Sequence, residues 1–308
     1  MTLRQQQDFL FALLFDAELR EHFTRDRAGA LAAAGLAGAD AALFEPLDAH
    51  GVELDAGMRR GYLMSALCRP YPIAAAAVGS MPGGARRLTR FLAARAVRGS
   101  LAERTRAFGS YLGGLLEENE AGAPDAAVGL IRAFLDLERG RAATAAALRQ
   151  AVEDGQAPPR LATHSNNAIK RGRLALPPYF LAAELPVPGS VMVAALHQVT
   201  PETCWSQIES GSLTIERVVS VARAHEIPVT VLARALSAGS GMERAGAGGV
   251  SPIVEVTHRT VELGGRRGGL LAAFDGTQPL SALPPALATL ARSLLDAGLL
   301  ELVQPTTD

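Results

Sequence analysis

The stretch at residues 252–303 constrains this chain most, because its apolar residues change period more than once over a short length. Ile253, Val254 and Val256, then Val261 and Leu263, are β-branched or aliphatic, and the polar Thr257-His258-Arg259-Thr260 separates the two groups. This pattern predicts two short strands ending at Gly264-Gly265. Residues 269–274 predict a brief helix stopped beside Asp275-Gly276, where a left-handed residue closes the last turn. Residues 281–295 set Leu283, Leu287, Leu290 and Leu294 on one helical face, and residues 298–303 close the run as a strand. Strands, helix, helix and strand make a winged-helix-like module at residues 250–308.

The run LAAFDGT at residues 271–277, with Leu280, Leu283 and LLDAGLLEL at residues 294–302, resembles the PqqD-like peptide-binding domains known as RiPP recognition elements. The resemblance implies that the leader of a ribosomally made precursor peptide docks as an extra strand on a sheet edge, beside the last helix. An edge strand has unpaired N–H and C=O groups that an extended peptide satisfies while alternate side chains enter apolar pockets. On this reading Val256, Val261 and Leu263 form the receiving edge and Leu287, Leu290 and Leu294 line the groove. The alternative is an ordinary winged helix in which Asp275-Gly276-Thr277 is only a turn.

Upstream the pattern is helical. Apolar residues recur at helical spacing over residues 5–23, 26–34, 39–49, 55–78, 85–97, 101–116 and 127–139, which predicts an α-helical domain at residues 1–155. Pro70 and Pro72 must break or kink the fourth of these helices, since proline lacks the N–H and disfavours helix in the residue before it. A chain of 308 residues is long enough for two or three cores. With 48% hydrophobic and 20% charged residues it is globular rather than disordered, and with aromatics at only 5% and many alanines its helices pack closely. No cationic, apolar and small-residue leader opens the chain and no long apolar run follows, so a cytoplasmic protein is expected. Cys68 and Cys204 lie far apart in no metal or redox spacing.

Lys170 is the only lysine, and the arginines cluster: Arg86, Arg87, Arg90, Arg95 and Arg98, then Arg104 and Arg106. Residues 57–82, GMRRGYLMSALCRPYPIAAAAVGSMP, followed by these arginine-bearing helices, are similar to the N-terminal helical domain of the partner proteins of multinuclear non-heme iron-dependent oxidases. That resemblance implies a non-catalytic subunit that delivers a ribosomal peptide, with iron held by the partner enzyme and no cofactor in this chain. The arginines at 86, 87, 90, 95 and 98 then become candidates for acidic groups of the enzyme or the peptide, for which a planar guanidinium is well shaped. A solvated arginine face is the alternative.

The segment at residues 156–245 is mixed. A helix is expected at residues 142–153, and strands at 173–176 and 179–185 among Pro177, Pro178, Pro186 and Pro188. Helices are expected at residues 191–199, 200–209, 215–225 and 229–236. The run from Ser206 to Leu236 looks like the latter part of a repressor-type helix-turn-helix, which makes a DNA-binding regulator the rival function. Phosphate contacts by Lys and Arg supply most DNA affinity, yet residues 200–211 hold Glu202 and Glu209 and no Lys or Arg. The six histidines stand singly, and no zinc, phosphate-loop or nucleophile motif occurs. The expectation is an α+β chain, mainly α, with no catalytic and no metal-binding residues.

Overall fold

A computed structural model describes residues 3–93, 99–118, 125–159, 169, 172–224, 227–237 and 255–303. The first helices are α1 (Leu3–Phe15), α2 (Ala17–Arg25), α3 (Arg27–Ala33), α4 (Ala39–Ala42), α5 (Ala49–Cys68), α6 (Pro72–Gly79), α7 (Gly84–Arg90), α8 (Leu101–Glu118) and α9 (Asp125–Glu153). Strands β1 (Arg173–Ala175) and β2 (Phe180–Leu185) lead to α10 (Gly189–Ala195), α11 (Cys204–Glu209) and α12 (Ile215–Ala224). Strands β3 (Val229–Ser237), β4 (Val256–Gly264) and β5 (Asp275–Pro279), helix α13 (Pro285–Asp296) and strand β6 (Glu301–Val303) complete the order. The protein is mainly helical α+β, with two antiparallel three-stranded sheets, ordered β5-β1-β6 and β2-β3-β4. No described helix is long and apolar enough to cross a membrane.

The chain divides into two compact units, Met1–Ala121 with Leu196–Arg217, and Gly122–Ala195 with Val218–Asp308. This division differs from the boundaries expected at residues 155 and 250. The first unit is helical, and its breaks come from capping. Asp16 separates α1 from α2 where one helix is expected, because its carboxylate accepts from the amides of Glu18 and Leu19 at 2.9 and 3.1 Å. Asp26 and Asp48 cap α3 and α5 in the same way, accepting from Gly29 at 2.9 Å and Gly51 at 2.7 Å. Ser100 and Glu103 form a reciprocal capping box at the start of α8. One core gathers Phe9, Leu13, Phe23, Leu31 and Phe44, with Phe44 edge-on to Phe9 at 5.0 Å. The prolines at 70 and 72 divide the expected long helix into α5 and α6. Alanines 74–77 of α6 are fully buried, and small residues there let neighbours approach. Gly84 sits so close that a Cβ would lie 2.2 Å from the carbonyl oxygen of Val78, and a Cβ on Gly79 would meet Ile208 of α11 at 2.7 Å.

In the second unit β3 is the central strand of its sheet, and its residues 229–235 are all buried. The expected helix at residues 229–236 is therefore this strand. Its apolar run is what burial on both faces requires, and over so short a length that run has no period to tell strand from helix. Of the two strands expected from Ile253 to Leu263, Ile253 and Val254 lie outside the described residues, and Val256 to Leu263 belong to the single strand β4. Thr257, His258, Arg259 and Thr260 continue β4 and pair with Leu236, Ala235, Arg234 and Ala233, so they do not turn. The brief helix expected at residues 269–274 is a 3-10 segment, Gly268–Ala273, followed by β5. Helix α9 runs unbroken for 29 residues through Gly140, where two helices are expected. It crosses one face of the β2-β3-β4 sheet, and Gly140 brings it against Leu181. The opposite face, with Phe180, Leu232, Val261 and Leu263, joins a core with Leu174, Phe274, Leu294, Leu295 and Leu299. Arg234 lies in that core, 1% exposed, donating to the carbonyl of Gly298 at 2.9 Å and to the carboxylate of Glu301.

Candidate functional site

The site is built around the outer edge of β4, and the ladder fixes which residues present it. The amide of Gly265 donates to the carbonyl of Pro228 at 2.8 Å, one step beyond the pair Val229–Gly264. Hydrogen-bonded and non-bonded pairs alternate in an antiparallel ladder. It follows that Thr257, Arg259, Val261 and Leu263 bond to β3, and that Val256, His258, Thr260 and Glu262 turn their N–H and C=O groups outward. The other ladder agrees: Ala235 donates to the carbonyl of Tyr179 at 3.0 Å, which assigns the odd-numbered residues of β3 to β2 and leaves the even ones for β4. Among the described residues no strand pairs with the outer edge of β4.

Side chains of the same outward-bonding phase face α9, where they form a polar cluster. An Nη of Arg141 donates to the Thr260 hydroxyl at 3.2 Å, and the Thr144 hydroxyl lies 3.0 Å from Nε2 of His258. Burial pushes His258 down to about 4, and the charge of Arg141 adds to the shift against an opposing hydrogen bond to the Arg141 backbone. Burial also lowers Arg141, against the carboxylates of Glu138 and Glu262. Nε of Arg141 is buried with no hydrogen-bond partner among the described residues. Glu262 accepts from the amide of Gly189 at 3.0 Å. The cluster thus leaves the edge with a neutral imidazole, a part-buried guanidinium and a row of backbone groups that no described strand pairs.

The sequence-predicted residues are distributed as follows. Val256 is in the outward-bonding phase of β4 and half-buried. Val261 and Leu263 are in the other phase, so their amides belong to the internal ladder and their side chains pack on the core shared with α13. Leu294 is buried in that core and Leu287 and Leu290 pack against it, so the apolar face of α13 is used inside the unit. Asp275-Gly276-Thr277 opens β5, where the ladder to β1 is irregular: the carboxylate of Asp275 accepts from the amide and hydroxyl of Thr277 at 2.8 and 2.5 Å, which lowers its pKa. Gly276, at φ 85°, has the conformation glycine supplies there.

In the helical unit Arg86 and Arg90 are exposed on α7 and Arg87 is half-buried, while Arg95 and Arg98 lie outside the described residues. Of the run resembling a helix-turn-helix, α11 is six residues long and buries Cys204, Trp205 and Ile208 against its own unit. An open depression of about 580 Å³ between α2 and α5 is lined by Arg20, Glu21, Arg25, Glu53 and Arg60, and two ion pairs of 2.8 Å, Arg20–Glu53 and Arg25–Glu21, occupy most of its charge. Among the described residues no group of three or more His, Cys, Asp or Glu is placed to hold a metal ion.

Arg141 and Thr144 are the residues that sequence reasoning missed. Their spacing of three puts them on one helical face, but only the crossing of α9 over β4 makes that face the one beside His258. Comparison with known protein families, curated proteins and solved structures finds no match to this chain.

Proposed function

We propose that this protein is a non-catalytic carrier that takes up an extended peptide by strand addition on β4 and presents it to an iron-dependent oxidase that modifies ribosomal precursor peptides. The observation that carries the reading is the outward row of backbone groups at His258, Thr260 and Glu262, unpaired by any described strand. A nine-residue strand with one edge unpaired among the described residues suits an incoming backbone, which gains main-chain hydrogen bonds there. The receiving residues are then Val256, His258, Thr260 and Glu262, with Val261 and Leu263 holding the strand from inside. The arginines of α7 remain the proposed contact for the oxidase, with iron supplied by that partner.

The test of strand addition is Thr260→Pro compared with Thr260→Val: both remove the hydroxyl that accepts from Arg141, and only the proline also removes the outward amide, with no internal ladder bond lost in either. Precursor leader binding, followed by fluorescence anisotropy, is expected to weaken by at least about tenfold more in the proline variant than in the valine variant, with both still melting cooperatively. Unchanged affinity would sink the reading. Co-expression with the oxidase, affinity purification and an iron assay on each separated chain test the second half, and iron that stays with this chain would contradict it.

A further inference from the structure

We infer that the edge of β4 selects acidic strands, with Arg141 as the residue that reads a carboxylate placed opposite Thr260. This rests on the strand-addition reading and adds the chemistry of the ligand. An added strand pairs with His258, Thr260 and Glu262, and its residue opposite Thr260 has its Cα about 5.5 Å away, with the side chain on the same face. On that face stands Arg141, whose only hydrogen bond given to β4 goes to the Thr260 hydroxyl and whose Nε, though buried, has no acceptor. A carboxylate from the incoming strand accepts from the Nη end that reaches the Thr260 hydroxyl, and its planar oxygens match the guanidinium fork.

The surroundings have the same sign. Arg259 is exposed on the opposite face of β4, giving one hydrogen bond to the carbonyl of Ala297 at 3.1 Å, and Arg266 and Arg267 follow the strand. Against these stand Glu255 before the strand, Glu138 of α9 beside Arg141, and Glu262, which faces Arg141 and also accepts from Gly189. His258 contributes no compensating group, since its imidazole is held neutral. The excess of guanidinium along one short edge disfavours a basic strand and guards the edge against neutral self-pairing.

The experiment uses the full chain as bait for a displayed library of random short peptides, scored by sequencing and by anisotropy of recovered peptides. Expected are binders enriched in Asp and Glu, whose Glu→Gln versions bind about tenfold more weakly, a difference that Arg141→Gln or about half-molar salt erases. Arg259→Gln, at an exposed position, supplies a second arm with a smaller loss should Arg141→Gln lower the melting temperature. Binders that Thr260→Pro releases but that show no acidic preference would overturn the selection and leave strand addition standing. Failure to recover any peptide released by Thr260→Pro would overturn both.

Discussion

His258 is held neutral by its burial and by Arg141, and this gives stability a pH dependence of known sign. Its folded value of about 4 lies below the ordinary 6.5, so the unfolded chain takes up a proton first. The contribution is complete above about pH 6.5 and is lost as the pH falls toward 4. The shift sets an upper bound of about 3 kcal/mol, which partial solvent access reduces to about 1–2 kcal/mol. Urea denaturation of wild type at pH 7 and 5 spans about half of that loss and should differ by about 0.5–1 kcal/mol, and His258→Gln should flatten the difference; an equal slope in the variant would remove His258 as the cause. Sterics at single residues are as definite. Gly84→Ala forces a Cβ onto the backbone oxygen of Val78 and should destabilise by about 3 kcal/mol, whereas Gly57→Ala in α5 meets nothing within 4 Å and should stabilise by about 0.5–1 kcal/mol. Thermal melts of the two variants moving in the same direction would contradict the packing of α7 on α6.

At the scale of the element, the register of β4 separates two substitutions that look alike in sequence. Thr260→Pro removes an outward amide and the hydroxyl that accepts from Arg141, leaves the internal ladder whole, and should cost about 1 kcal/mol. Val261→Pro removes an N–H that bonds to β3 and disturbs a side chain packed on the core, and should cost about 3 kcal/mol or more. Denaturant midpoints that rank the two in the reverse order would mean the ladder is out by one residue. The same one-residue arithmetic explains what the sequence left open: Val256, Val261 and Leu263 all look like edge candidates, but a strand alternates at every step, and only its partner tells which phase faces outward.

For the whole molecule, the strand order contradicts a self-contained C-terminal module. Strand β4 bonds to β3, while β5 and β6 each bond to β1 and not to each other. A fragment of residues 250–308 therefore leaves all three of its strands without partners. Expressed alone, it should show no cooperative thermal transition and no dispersed amide spectrum, while a folded fragment would refute the pairing. Helix α9 belongs to the same dependence, since it covers the face of β2-β3-β4 away from α13.

The sequence by itself determined most helix locations and the strands flanking Pro177 and Pro186, because helical spacing and proline are local signals, whereas the Asp16 cap, equally local, splits a run whose spacing reads as one helix. The sequence also holds none of the fixed-spacing zinc, phosphate-loop or nucleophile motifs. Only the tertiary structure decided that residues 229–237 are a strand, that residues 256–264 form one edge rather than two pieces, and that Arg141 stands over it. The reason is physical: a strand's hydrogen bonds lie outside itself, so its existence, its phase and its neighbours are properties of the partners that the rest of the chain brings to it.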